Sequence, residues 1–184
     1  MTEMVERHIH ACDGFSDIVV TATGRWKRPS PCTEWDARGV VEHMIGFHDV
    51  LLLRPLGTKP QRPKEDPVAR WAVTLAALCS TLRNNSDDRA AAHSDTSSPD
   101  LGRLLPVLTV EALVHTWDLA RAIDVDPDLD LSLCEIAYEV VRPNVKQLRE
   151  SGMFHPPVPV HDDADGGTGL IAFLGRDPSW TATV

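Results

Sequence analysis

No stretch of the 184-residue chain approaches the roughly eighteen uninterrupted apolar residues of a membrane span, so no membrane partner is expected. Basic residues are in deficit. The 18 Lys and Arg stand against 27 Asp and Glu, a formal charge of −9, and an acidic chain repels phosphate backbones, which argues against nucleic acid. Cysteine is sparse: Cys12, Cys32, Cys79 and Cys134 include no CxxC pair, which excludes a cysteine zinc knuckle and disfavours a disulfide framework. They read as free thiols, Cys12 and Cys79 on apolar helix faces and Cys32 exposed in the turn Ser30-Pro31-Cys32-Thr33. Nothing in the sequence gives Cys32 a reactive partner. The N-terminal MTEMVERHIHACDG is charged and has no apolar h-region, so no secretory signal is expected and the expected location is cytoplasmic. An alternating strand pattern of useful length is missing, as is any internal repeat. What is present, 42% hydrophobic and 24% charged residues, suits one globular domain over residues 1–184 with a real core.

The apolar residues recur at helical spacing. Val5, Ile9, Cys12, Phe15, Val19 and Ala22 predict an amphipathic helix over 4–23. Thr33 followed by Asp36 resembles a capping box and opens a second helix, through Val40, Val41, Met44, Ile45 and Leu52, that must end near Arg54 because Pro55 follows. Residues 54–67 form a proline-rich, charged connection. A third helix follows Asp66-Pro67 with a Val68, Trp71, Leu75, Leu78, Leu82 stripe, and the polar stretch 84–100 reads as a loop with some helical character around its Ala run. The most apolar helix spans Leu101–Ile123, starting near or kinking at Pro106, and another covers 131–149 with a bend at Pro143. After Gly152 comes a tail with a short apolar run and a closing RDPSW. The expected fold is all-α, a four-helix bundle with a short, largely irregular C-terminal tail.

Three residues stand out chemically. Glu111 and His115, four apart in the most apolar helix, emerge on one face a turn apart. Burying a carboxylate and an imidazole is costly unless something satisfies them: a metal ion, an ion pair or a hydrogen bond. Spacing alone favours a structural Glu–His contact over ligation. His43, midway along the second helix, would by itself read as a core histidine. Together the three supply two imidazoles and a carboxylate, the set that catalytic zinc and non-haem iron sites use while leaving positions open.

The stretch Pro29-Ser30-Pro31-Cys32-Thr33-Glu34-Trp35-Asp36, followed by Val41-Glu42-His43-Met44, resembles a signature of the DinB-like superfamily. The nearest group is the N-terminal domain of mycothiol-dependent maleylpyruvate isomerase and its short, single-domain actinobacterial relatives. Val110–Ala122 (VEALVHTWDLARA) and the closing Leu174–Trp180 (LGRDPSW) resemble two further signatures. The resemblance implies a four-helix bundle with a divalent metal, zinc or else nickel or iron, held by His43, Glu111 and His115. It also implies addition or transfer of a low-molecular-weight thiol such as mycothiol to an electrophilic small-molecule substrate. The maleylpyruvate isomerases carry a further C-terminal domain, so isomerase activity itself is not expected of these 184 residues. Two other readings stand beside thiol transfer: a bundle that binds a metal or small ligand without turnover, and a metal-free bundle whose pocket takes a hydrophobic ligand.

The remaining polar residues carry structural expectations. His48, about 140° round the helix from His43, should face elsewhere. His8 and His10, two apart, read as solvent residues, and His155 or His161 could approach the metal only if the tail folds over it. Asp118 is expected to pair with Arg121, with support of a ligand imidazole as the alternative, and Arg176 with Asp177. Trp35 and Trp117 read as core aromatics, and Glu34, Asp36 and Glu42 as charges at the second helix's start. The 54–67 connection and the tail are expected to shape the pocket, and an exposed third-helix face bearing Trp71 and Leu75 to pair a homodimer.

Overall fold

The computed structural model of the chain describes residues 1–88, 99–150, 152 and 154–182. Its long helices are α1 (Thr2–Thr21), α2 (Ala37–His48), α3 (Pro67–Asp88) and α4 (Leu101–Ala122); α5 (Leu131–Val141), α6 (Val145–Glu150) and α7 (Gly166–Phe173) follow. The architecture is all-α, and no strand occurs among the described residues beyond a single bridge pairing Pro29 with Asp36. Helix α1 packs on α3 and α4, α2 packs on the same two, and α5 adds a layer against α4 that α7 then covers. No helix is long and apolar enough to cross a membrane, among the described residues.

Side-chain caps set the helix starts. Asp36, not Thr33, caps α2 by accepting the Gly39 N–H at 2.8 Å, and Asp66, Asp100, Asp130 and Asp165 act similarly for α3, α4, α5 and α7. Helix α2 runs into a π turn, Asp49–Leu53, so helical structure ends just before Arg54. Helix α3 continues through Asp88, past the expected loop start at 84; the Ala run lies in 89–98, outside the described residues. Helix α4 starts at Leu101 and carries Pro106 inside it. The bend at Pro143 is real: Arg142–Asn144 form a tight turn between α5 and α6.

The tail is largely irregular, as expected, with its short apolar run forming one helix, α7, which buries Leu170, Ile171 and Ala172. Two expectations need correction. Trp71 does not lie on an exposed face: it is 1% exposed and meets Phe15 edge-on at 4.7 Å, while Leu75 is half-buried. The 54–67 connection does not reach the pocket. Arg62 makes a two-pronged ion pair with Asp49 at 2.6 and 2.9 Å and donates to Thr74, which straps the connection along α3.

The buried apolar residues fall into two clusters. One gathers Val5, Ile9, Leu52, Leu78, Leu82 and Leu105; the other gathers Phe15, Val41, Met44, Trp71, Val114 and Trp117. His8, Thr109 and His48 sit where the two meet, so α1, α4 and α2 each pass a polar residue through the same level of the core. This corrects the reading of His8 as a solvent residue, since it is fully buried; His10 is exposed and contacts Asp130 at 3.0 Å.

Candidate metal centre

Helices α2 and α4 bring His43, Glu111 and His115 together. One donor atom from each lies within 4.8 Å of the others. The two imidazole rings are 4.8 Å apart, centre to centre, and His115 Nε2 is 3.3 Å from Glu111 Oε2. Glu111 and His115 are buried and His43 half-buried. Two buried polar atoms here, His43 Nε2 and Glu111 Oε1, have no hydrogen-bond partner among the described residues. Unpaired buried polar atoms are rare and call for an explanation, and two on converging ligands of this chemistry fit a cation.

The surroundings fix each ring. Asp118, one turn beyond His115, takes the Nδ1 proton of His115 at 3.0 Å, which leaves Nε2 as the atom turned toward Glu111. Arg176 in turn clasps Asp118 with two hydrogen bonds of 3.0 Å, one to each carboxylate oxygen. Both default pairings read from the sequence are thereby corrected. Arg121 does not pair with Asp118 but donates to the Pro178 carbonyl and lies over Trp117, and Arg176 does not pair with Asp177, which instead caps Ser179. A carboxylate behind a ligand histidine is the usual support of a metal site. His48 points away from this centre, as its spacing predicts.

The charges agree with this arrangement. Burial disfavours a positive His115, but hydrogen bonds to Asp118 and Glu111 outweigh it and push its pKa up to about 9. Burial also opposes the Asp118 charge, yet hydrogen bonds from His115 and Arg176 hold its carboxyl below the ordinary range. The pocket thus favours positive charge between two carboxylates, which a proton or a metal ion supplies. His43 is driven the other way, to about 4, by burial and then by neighbouring His115, so it stands as a neutral ring with a free lone pair.

The 25–36 segment explains the first signature. The backbone pairs Ala37 N–H with the Arg28 carbonyl and Arg38 N–H with that of Trp26, while the buried Ser30 hydroxyl faces the Cys32 and Trp35 carbonyls at 2.9 and 2.7 Å. This seats Trp35 flat on His43, with 4.1 Å between ring centres and 23° between planes. Trp35 is therefore a half-buried wall of the site rather than a core aromatic, whereas Trp117 is in the core. A Cβ at Gly39 would sit 2.8 Å from that of Trp35, so a side chain there would push Trp35 off. Glu42 faces α3, where it holds Arg70, and is not part of the centre.

His43, Glu111 and His115 line a cavity of about 710 Å³. Phe47, Phe154 and Trp180 form much of its apolar wall, and Cys32 and His155 also border it. Cys32 is half-buried rather than exposed, and burial raises its thiol pKa, so it is no ready nucleophile. His161 is exposed and outside the cavity wall. The tail reaches the centre through Gly175, whose φ of +86° suits glycine, and where a Cβ would lie 2.6 Å from the His155 backbone. Gly175→Ala is expected to cost about 1–3 kcal/mol in chemical denaturation, because both the backbone and the packing that deliver Arg176 are strained.

Sequence reasoning missed Arg176 as part of the site. The only clue was its place in the closing LGRDPSW signature.

Comparison with known proteins gives two findings. The family model described as the mycothiol maleylpyruvate isomerase N-terminal domain matches residues 10–120. Uncharacterized proteins of Mycobacterium tuberculosis strains CDC 1551 / Oshkosh and H37Rv are each 27% identical over 181 residues, covering 92% of this chain and 95% of the relative. No solved structure matches the chain significantly.

Proposed function

The chain belongs to the mycothiol maleylpyruvate isomerase N-terminal domain family, and from that premise we propose a metal-dependent protein that adds or transfers a low-molecular-weight thiol, mycothiol or a close analogue, to an electrophilic small molecule. One observation carries the reading: two imidazoles and a carboxylate converge at a cavity wall with two of their buried polar atoms unpartnered. His43, Glu111 and His115 would hold a divalent ion, with zinc the first choice for this donor set and nickel or iron the alternatives. When bound, such an ion lowers the pKa of a coordinated thiol and so makes a nucleophile available near neutral pH.

The chain's own residues account for the rest. Asp118 holds the Nδ1–H of His115 and so leaves Nε2, turned toward Glu111, as the ring atom that would ligate, while Arg176 keeps Asp118 ionised and oriented. Trp35 and Phe47 both stack against His43, with ring centres 4.1 and 5.4 Å away, and restrict its ring. The aromatic wall limits water beside the centre and offers surface to an apolar electrophile.

The test is thiol consumption. Zinc-loaded protein mixed with mycothiol and chlorodinitrobenzene, or another member of an electrophile panel, is expected to consume thiol above the protein-free rate. His115→Ala is expected not to. Zinc binding without faster thiol loss on any electrophile would replace this reading with a non-catalytic metal- or ligand-binding bundle.

A further inference from the structure

A second group of donors converges where the two apolar clusters meet. His8 and Cys12, four apart, share the inner face of α1, and His48 comes from the last turn of α2. His8 Nε2 and His48 Nε2 are 3.2 Å apart, and Cys12 Sγ lies 3.6 Å from the first and 3.9 Å from the second. All three side chains are buried, at 0%, 1% and 0% exposure for His8, Cys12 and His48.

Proton placement leaves this group one donor short. The Met44 carbonyl, 2.7 Å from His48 Nδ1, can only accept, so neutral His48 carries its proton there and turns the Nε2 lone pair inward. The Thr109 hydroxyl donates to the Leu105 carbonyl at 2.8 Å, which leaves its oxygen to accept from His8 Nδ1 at 3.3 Å. His8 then also turns a lone pair inward, and two lone pairs face each other. Burial holds both rings neutral, His48 at about 4 and His8 well below the ordinary histidine value. The single thiol proton of Cys12 can serve one lone pair but not both. Without a cation, the Thr109 hydroxyl must leave Leu105 so that His8 can carry its proton on Nε2.

We infer that His8, Cys12 and His48 form a second metal site, separate from the His43–Glu111–His115 centre, for a soft, thiophilic ion. Tetrahedral zinc with nitrogen ligands at about 2.0–2.1 Å and sulfur at about 2.3 Å spaces its donors about 3.3–3.6 Å apart, and the observed separations need adjust by only tenths of an ångström. Thiolate with imidazole selects zinc or monovalent copper over calcium or magnesium. Charge separates those two. Two neutral imidazoles and a thiolate sum to minus one, which monovalent copper neutralises, whereas zinc leaves a net positive centre in an apolar core. Monovalent copper is the better match. A bound ion would pin α1 to α2 at the level where the core divides.

The experiment exploits sulfur. The full chain is refolded under nitrogen, without thiol reductant, with monovalent copper or with cobalt(II) as a spectroscopic stand-in for zinc. A sulfur-to-metal charge-transfer band is then sought in the ultraviolet. His43, Glu111 and His115 carry no sulfur, and Cys32, which borders their cavity, is controlled by Cys32→Ser, in which the band is expected to persist. The expected result is a band with at least one ion, retained in His115→Ala and lost in Cys12→Ser together with one ion per chain. Should Cys12→Ser not fold, His48→Asn replaces it, with loss of the same ion as the readout. No band with either ion, or a band that survives in Cys12→Ser, overturns the inference.

Discussion

His115→Ala is expected to lower zinc affinity by more than the roughly 10–100-fold that follows loss of an outer partner of a metal ligand. The helical circular-dichroism signal should persist. The expectation follows from what the ring does. His115 is the side chain that both touches Glu111 and is aligned by Asp118, so its removal deletes a proposed ligand and disconnects the support behind it. The bundle survives because α4 is held by its apolar neighbours Val110, Leu113, Val114 and Trp117, none of which the substitution changes. Asp118 also keeps Arg176 as its counter-charge. Zinc competition with a chromophoric chelator gives the affinity. Unchanged affinity would mean that Glu111 and His115 form only a buried polar pair.

Arg176→Ala should destabilise the fold by about 3 kcal/mol, the low end of the range for breaking one side of a buried ion pair. Its guanidinium is 11% exposed while Asp118 is fully buried, so the variant removes the permanent counter-charge of a carboxylate that water cannot reach and leaves it to the hydrogen bond from His115. In a domain of this size that corresponds to roughly 6–12 °C in Tm. Zinc affinity should fall as well, by about tenfold, because Asp118 would no longer be held behind His115. Asp177→Ala is the stability control: its carboxylate is exposed and caps Ser179, so a change within about 0.5 kcal/mol is expected. Equal effects from the two substitutions would contradict the assignment of Asp118 as the partner of Arg176.

The long helices were legible because their apolar residues repeat at helical spacing, and Pro55 and Pro143 marked real endings or bends. Helix α7 was not. Its Gly166-Gly167-Thr168-Gly169 opening has poor helix propensity, and the helix depends on the Asp165 cap and on burial of Leu170 and Ile171 against α5. His8 was misjudged for a different reason. Two residues at i and i+2 cannot share a helix face, but that leaves one of them free to face inward, and His8 falls between Val5 and Cys12 on the buried stripe.

The candidate ligands were identified by resemblance to known signatures, since an i, i+4 Glu–His pair by itself suits an ordinary structural contact equally well. Their support was harder to see. Arg121, three residues from Asp118, is the local partner any helix model suggests, whereas the actual partner Arg176 is 58 residues away. Only the fold of the tail, turning at Gly175 against His155, delivers it. The 54–67 connection is the converse case. Its prolines and charges mark it as exposed, but nothing local reveals that Arg62 would anchor it to Asp49 and away from the cavity.

Elemental mass spectrometry of protein purified without chelator or polyhistidine tag, with wild type, His115→Ala and Cys12→Ser side by side, tests the central claim most directly. His115→Ala is expected to hold one divalent ion per chain fewer than wild type, while Cys12→Ser keeps that ion. Metal content unchanged by His115→Ala, or wild type free of divalent metal even after incubation with zinc, would contradict that claim.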